Sequence, residues 1–323
     1  MVLELKERVT LIRQKLEKYM PDSYIETIKL LHDSLKSTET KGDFVFASYS
    51  EYIEMNGCTD DYLNISLDML GEYTKWFSAE FAIRKFINQY PDQTYKKMLE
   101  WSLSDHVEQR RLASEGLRPK LPWSSKIDFD YNKGMLPLHN LYYDQERYVV
   151  RSVANHLNDI SKLDPDLVVE TLSVWQSSHK QEQKEMDYLI YHALRTSIKK
   201  GHQKSLAFIG YHENPDILIT DFNISSKILV VGDRLKFEFS ILAHKPEKLM
   251  IDYKVFYPMA NNKTSEKVFK IKKVTLKENE TLTIKKSHSF KVMTTRKLYS
   301  GDYKISLQIN GKIYTEDHFS LTV

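Results

Sequence analysis

Through the first two thirds of the chain, apolar residues recur at steps of three and four. Ile25, Ile28, Leu31 and Leu35 form one such series, and Leu63, Leu67, Leu70 and Tyr73 another. This spacing predicts amphipathic helices up to about residue 212. Pro21, Pro91, Pro119, Pro122, Pro137 and Pro165 are expected between the periodic segments. Pro91-Asp92 and Asp164-Pro165-Asp166 suit helix starts, where a missing N–H costs no bond. After Pro215 the period falls to two. Ile217, Ile219 and Phe222, then Leu235, Phe237 and Phe239, then Ile251, Tyr253 and Val255, and finally Tyr303, Ile305, Leu307 and Ile309 read as strands.

Three helical stretches repeat a motif: Arg111-Leu-Ala-Ser-Glu115, Arg151-Ser-Val-Ala-Asn155 and His192-Ala-Leu-Arg-Thr196, with first residues 40 and then 41 positions apart. That period matches HEAT and armadillo units, in which stacked helix pairs bury a shared core. It sets Glu115, Asn155 and Thr196 at comparable places on one wall. Roughly seven or eight short strands follow, with Asn310-Gly311 as a two-residue hairpin and Gly301-Asp302-Tyr303 suited to a tyrosine corner. The expected fold is mainly α, a HEAT-like α-solenoid over residues 1–213 followed by an all-β immunoglobulin-like sandwich over residues 214–323.

The 323 residues fit two domains, and 41% hydrophobic with 28% charged residues is ordinary for a globular chain. No run approaches the roughly 18 apolar residues of a membrane span. The N-terminus reads as an amphipathic helix, and Cys58 stands alone. A cytoplasmic monomer of bacterial type is expected, with no cofactor, no metal and no membrane association. The net charge of +3 hides an asymmetry: residues 214–323 carry 19 basic against 12 acidic side chains, and the remainder 28 against 32. Within that remainder, residues 110–204 hold 15 against 12. A polyanion would meet the middle and the end of the chain.

The densest chemistry lies in Arg110-Arg-Leu-Ala-Ser-Glu-Gly-Leu-Arg-Pro-Lys-Leu-Pro-Trp123, where Gly116 suits a helix cap and the prolines stop continuation. In Tyr148–Asp159, the residues Arg151, Asn155 and Asp159 share a helix face, flanked by His156 and Asn158. In His192–His202, the residues His192, Arg195 and Lys199 are expected on one face, with Lys200 before a stop at Gly201.

The strings FSAEFAIRKFINQYP, RRLASEGLRPKLPW, YVVRSVANHLNDI and HALRTSIKKGH together resemble the AlkC branch of the AlkC/AlkD alkylpurine DNA glycosylase superfamily across roughly residues 62–212. A C-terminal immunoglobulin-like domain also fits that branch. Two departures stand out: Val107-Glu-Gln precedes the first arginine pair, and Val150-Arg151 replaces an arginine pair. The resemblance implies excision of cationic methylated bases, of the 3-methyladenine and 3-methylcytosine class, from double-stranded DNA without metal or cofactor. A base already charged on a ring nitrogen departs neutral and needs no general acid. What remains is to stabilise the cationic sugar and guide a water to C1′.

Read from residues alone, Glu115 fits either an arginine-paired helix residue or a catalytic acid. The resemblance implies the second, with Asp159 as its neighbour or substitute. Trp123 and Trp175 are candidates to stack on lesion or sugar, with Trp101 as a further option. Arg111, Arg118, Lys120, Arg151, Asn155, His156, His192, Arg195, Lys199 and Lys200 are candidate DNA contacts, mainly to phosphates. In the β region, Lys270, Lys272, Lys273, Lys285 and Lys286 are expected as a basic surface on adjacent strands or their loops, serving either DNA or the guarding of a sheet edge. Two other readings remain open: a HEAT-repeat protein that binds branched or bent DNA without hydrolysis, and a protein–protein scaffold. Acids facing phosphates argue against a pure binder.

Overall fold

The computed structural model describes residues 3–260, 263–292 and 297–323, and the chain divides into two compact units, Met1–Leu194 and Arg195–Val323. The first contains α1 (Leu5–Tyr19), α2 (Tyr24–Lys36), a 3-10 turn at Phe44–Phe46, α3 (Ala47–Asn56), α4 (Leu63–Tyr73), α5 (Ile83–Gln89), α6 (Pro91–Ser102), α7 (Val107–Glu115), α8 (Tyr131–Leu141), α9 (Arg147–Ile160), α10 (Pro165–Ser177) and α11 (Gln183–Ala193). The second opens with α12 (Arg195–Lys199) and α13 (Gln203–Phe208). Its strands are β1 (Ile217–Ile224), β2 (Ile228–Val230), β3 (Arg234–Ala243), β4 (Glu247–Pro258), β5 (Thr264–Leu276), β6 (Thr281–Ser289), β7 (Gly301–Ile309) and β8 (Lys312–Thr322). Among the described residues, no helix is long and apolar enough to cross a membrane.

The expected prolines open α6 and α10, and Asp164 caps the latter by accepting from the Leu167 amide at 3.0 Å. Pro137 differs from expectation. It lies inside α8, giving up an intrahelical bond, while its neighbour Leu138 is fully buried. Burial of that face, rather than propensity, holds the helix.

Helices α7, α9 and α11 pack successively. Val149, Val153 and Leu157 of α9 are wholly buried, as are Leu112 of α7 and Leu189 of α11. Arginine–carboxylate forks tie neighbouring repeats. Arg110 donates from Nε and Nη2 to Asp144 at 2.6 and 3.2 Å, and Arg147 donates from Nη2 to Glu185 at 2.6 Å. Arg111 makes a further tie of this kind, its Nη1 lying 2.7 Å from Glu80. The single helix face expected for His192, Arg195 and Lys199 does not form, because α11 ends at Ala193 and α12 starts at Arg195.

In the second unit a three-stranded sheet, β1-β3-β6, faces a five-stranded sheet, β2-β8-β7-β4-β5, and only β2–β8 is parallel. Phe237, Phe239, Ile251, Val255, Ile305 and Leu307 fill the core between them. Tyr303 donates its hydroxyl to the Tyr299 carbonyl at 2.8 Å, making the expected tyrosine corner. Asn310 and Gly311, at φ 45° and 83°, turn the β7–β8 hairpin. A Cβ on Gly311 would lie 2.5 Å from Gly201 Cα. That close approach seats α12 and α13 on the hairpin and groups them with the strands. Lys270, Lys272 and Lys273 lie on β5 and Lys285 and Lys286 on β6, strands consecutive in the chain that form edges of different sheets.

Gly116 follows α7, its amide donating to the Leu112 carbonyl, with φ −64° rather than a left-handed value. Its need for glycine is steric, since a Cβ would sit 2.9 Å from both Ile83 Cγ2 and Met98 Cε. Gly116→Ala is expected to destabilise the helical unit by about 1–3 kcal/mol through overpacking, read as a lower urea midpoint. An unchanged midpoint would show that the site has room.

Candidate functional site

Arg118 lies one helical step beyond Glu115 and one repeat before Asp159, and its guanidinium joins both. Nη1 donates to Glu115 Oε1, and Nε donates to Asp159 Oδ2 at 2.8 Å. Ser152 of α9 donates to the other Glu115 oxygen at 2.6 Å, and Lys162 to the other Asp159 oxygen at 2.7 Å. Glu115 is 4% exposed. Burial opposes the charge on Arg118, but Glu115 and Asp159 outweigh it and hold the guanidinium above its ordinary value. Arg111 is likewise raised: burial is outweighed by Glu80, 2.7 Å from its Nη1, and by Glu115, 3.9 Å from its Nη2.

Glu115, Arg111 and Arg118 line a cleft of about 1130 Å³. Its walls are aromatic: Phe44, Trp76, Phe77, Phe81, Trp123 and Tyr148. Lys6, Lys41 and Lys75 supply cations around it. Trp123 is 81% exposed at φ 60°, a left-handed conformation costly for a bulky residue. Lys6 donates to the Trp123 carbonyl and lies 5.1 Å from the centre of the Phe81 ring. Trp123 follows Pro122 in a turn that the Ser124 amide closes on the Leu121 carbonyl at 3.4 Å, and the turn leaves the indole open to solvent. The floor is therefore a fixed carboxylate, the walls flat π surfaces and the surroundings cationic. Such a site can hold a flat group and stabilise positive charge beside it. Among the described residues no group of three or more His, Cys, Asp or Glu is placed to hold a metal ion.

Residues 218–323 match the family described as "Uncharacterised protein YhaZ, C-terminal Ig-like domain". Over 314 residues the chain is 34% identical to YhaZ of Bacillus subtilis strain 168, covering 96% of this chain and 85% of that protein. The structure is similar to that of Pseudomonas fluorescens alkylpurine DNA glycosylase AlkC bound to DNA containing an abasic site analog: TM-score 0.88, 30% identity, 99% of this chain and 89% of that one. The chain belongs to the AlkC branch of the AlkC/AlkD superfamily.

Against the AlkC-type fold, the expected site residues separate into groups. Glu115, Arg111, Arg118 and Trp123 meet at the cleft, with Asp159 behind Arg118. Arg118 engages the two carboxylates rather than presenting an open cation. Lys120 and Arg151 are exposed, and Arg151 lies 6.0 Å from the Tyr148 ring centre. Asn155 Oδ1 is 2.8 Å from His192 Nε2, whose ring stacks on Tyr188. Arg195, Lys199 and Lys200 belong to the second unit and are exposed there.

Three expectations are corrected by burial. His156 has no exposed surface and cannot touch DNA from this position. Its Nδ1 donates to the Ser114 carbonyl at 2.9 Å, and burial pushes the imidazole down to about 4. Trp175 stacks on Tyr142 with ring centres 4.3 Å apart and donates its indole N–H to His139, leaving no face for a base. Trp101 is buried against Gly71, where a Cβ would come within 2.8 Å of the indole.

Arg84 was not singled out from sequence. It is buried on α5 and donates from Nε to the Ser125 carbonyl at 2.7 Å and from Nη1 to those of Gly116 and Arg118 at 3.1 and 2.9 Å. Burial pulls its guanidinium down to about 10. It clasps the loop carrying Arg118 and Trp123. A cation amid Ile83, Phe86 and Ile87 was the available signal, since a buried charge requires partners.

Arg84→Lys retains charge but loses the fork. Amides of residues 117–125 are then expected to exchange hydrogen about tenfold faster or more, a local loss of about 1.4 kcal/mol, while α11 stays protected. Equal rates would remove Arg84 from loop positioning. For His156, the folded-state value lies below the unfolded 6.5, so the unfolded chain binds more protons between them. Stability is full above pH 6.5 and falls as pH drops towards 4, by up to about 3 kcal/mol. Urea titrations across that range should show this slope in the parent and lose it in His156→Gln; parallel slopes would refute the assignment.

Proposed function

We propose that this protein is a DNA glycosylase that hydrolyses the N-glycosidic bond of cationic alkylated bases in double-stranded DNA. The observation that carries the reading is the Glu115 carboxylate, fixed at both oxygens by Arg118 and Ser152 and lining an aromatic cleft. A carboxylate locked in this way needs no reorientation when positive charge grows beside it.

As the C1′–N bond breaks, its electron pair passes to the base, cancelling the base's positive charge, and the sugar becomes oxocarbenium-like. Glu115 stabilises that cation. A water oxygen then bonds to C1′, and its proton passes to the carboxylate or to solvent. Asp159 acts through Arg118 as a positioning residue, keeping the guanidinium and hence Glu115 in place. Trp123 offers its exposed indole to the lesion or its sugar, a contact of about 0.5–2 kcal/mol. The exposed Lys120 and Arg151 hold phosphates, setting the register of the duplex without reading sequence. The likeness to AlkC over the whole chain supports the same reading.

The purified protein is expected to release 3-methyladenine from methylated DNA without added metal, resolved by chromatography over time. Glu115→Gln should slow release by at least about 100-fold while DNA affinity stays within severalfold of the parent. Full activity in that variant would exclude Glu115 from the chemistry. Binding without release by the parent would point to a DNA-structure binder.

A further inference from the structure

Beside the cleft lies a second cavity of about 240 Å³, and the two share Lys6, Phe44, Ser78 and Phe81 as walls. At roughly 30 Å³ per water it has room for about eight waters, below the size of drug-sized pockets. Phe44 and Phe81 give it flat apolar surface, Val9, Ala47 and Ala82 add aliphatic wall, and the polar lining is the hydroxyls of Thr10, Ser50, Ser78, Ser124 and Ser125, the carboxyls of Glu51 and Glu54, and Lys6. Ser50 lines it, is 3% exposed, and its Oγ has no hydrogen-bond partner. Glu51, also lining it, accepts from Thr10 through Oε1 at 2.7 Å, while its buried Oε2 makes no hydrogen bond and has only a long ion pair, 3.7 Å, to Arg13 Nε. A buried polar atom without a hydrogen bond is destabilising, so Ser50 Oγ, and more weakly Glu51 Oε2, favour a ligand with donors and acceptors. Burial pushes the second acid, Glu54, up to about 7, which lets its carboxyl either donate or accept near neutrality.

We propose that this side cavity binds a free, neutral nucleobase, the group that departs when a charged base is released in the adjoining cleft. The assignment rests on the glycosylase reading for its source of ligand, but the chemistry of the cavity is its own. A nucleobase has two flat π faces and a rim of alternating donors and acceptors, which suits two phenylalanine rings with serine and threonine hydroxyls and two carboxyls among the lining groups. Glu51 and Glu54 disfavour the phosphates of a nucleotide. Lys6 stands at the wall common to both spaces, beside Phe81 and the Trp123 carbonyl.

The test uses adenine as probe on the full chain, with excision assayed separately. Saturation-transfer NMR should show adenine bound, and added adenine should inhibit release from methylated DNA. Ser50→Val and Glu54→Gln, checked for folding by circular dichroism, should each weaken adenine binding at least fivefold and leave single-turnover excision within twofold. If the protein excises methylated bases yet binds no adenine at millimolar concentration, the cavity assignment is overturned and the glycosylase reading stands. Equal adenine affinity in both folded variants also overturns it. Adenine binding that the variants weaken, in a protein without excision, would leave the cavity as a nucleobase site and count against the glycosylase reading.

Discussion

The interior of the helical unit is organised around one guanidinium. Arg118 sits between Glu115 and Asp159, with Lys162 balancing the second acid, so that two buried negative charges meet two positive ones. Burying such a group is costly unless every lone pair is engaged, and removing one partner strands the rest. That constraint propagates outwards. Glu115 must stay at the end of α7, Ser152 and Asp159 must present from α9, and the segment after Gly116 must bring Arg118 back over both. Arg84 completes the arrangement from α5 by holding three carbonyls of that segment.

The repeat period explains why these residues can meet. Glu115 and Ser152 are 37 positions apart and Arg118 and Asp159 are 41, close to one repeat in each case. Stacking α7 on α9 therefore converts a sequence period into a contact. The same geometry recurs in Arg110–Asp144 and Arg147–Glu185, where the partners are structural ties. What distinguishes the Glu115 cluster is the space in front of it. The segments after α4 and α7 leave aromatic side chains around an opening instead of closing it, and the turn after Pro122 holds Trp123 there with its indole exposed.

Much of this was legible in the chain. The shift from a period near 3.6 to a period of two falls between α13, ending at Phe208, and β1, beginning at Ile217. The Asn310-Gly311 hairpin and the Tyr303 corner were readable because turn chemistry is local. Glu115, Asp159 and Arg118 were readable as a dense, polar departure from an apolar pattern. Other features depended on tertiary contact. Nothing local tells that His156 and Trp175 face inwards, since a polar or aromatic residue on an amphipathic helix fits either side. Lys6, Phe44 and Trp76 reach the cleft from an N-terminal region whose charge balance is acidic. The grouping of α12 and α13 with the strands comes from the Gly201–Gly311 approach, which periodicity cannot register.

The proposed chemistry also accounts for what lines the cleft. Among its described lining residues there is no histidine, and the neighbouring His156 is buried and neutral down to about pH 4. A neutral purine leaves the sugar readily only if something protonates it. A base alkylated on a ring nitrogen carries its own positive charge and has no such need. On the proposed chemistry, a site with a fixed carboxylate and π surfaces would discriminate by leaving-group charge, without having to exclude normal bases by shape. In the proposed reaction Glu115, restrained by Arg118 and Ser152, would serve the one charge that every such substrate develops, the one on the sugar, and an open cleft would then do what a closed pocket would otherwise have to do.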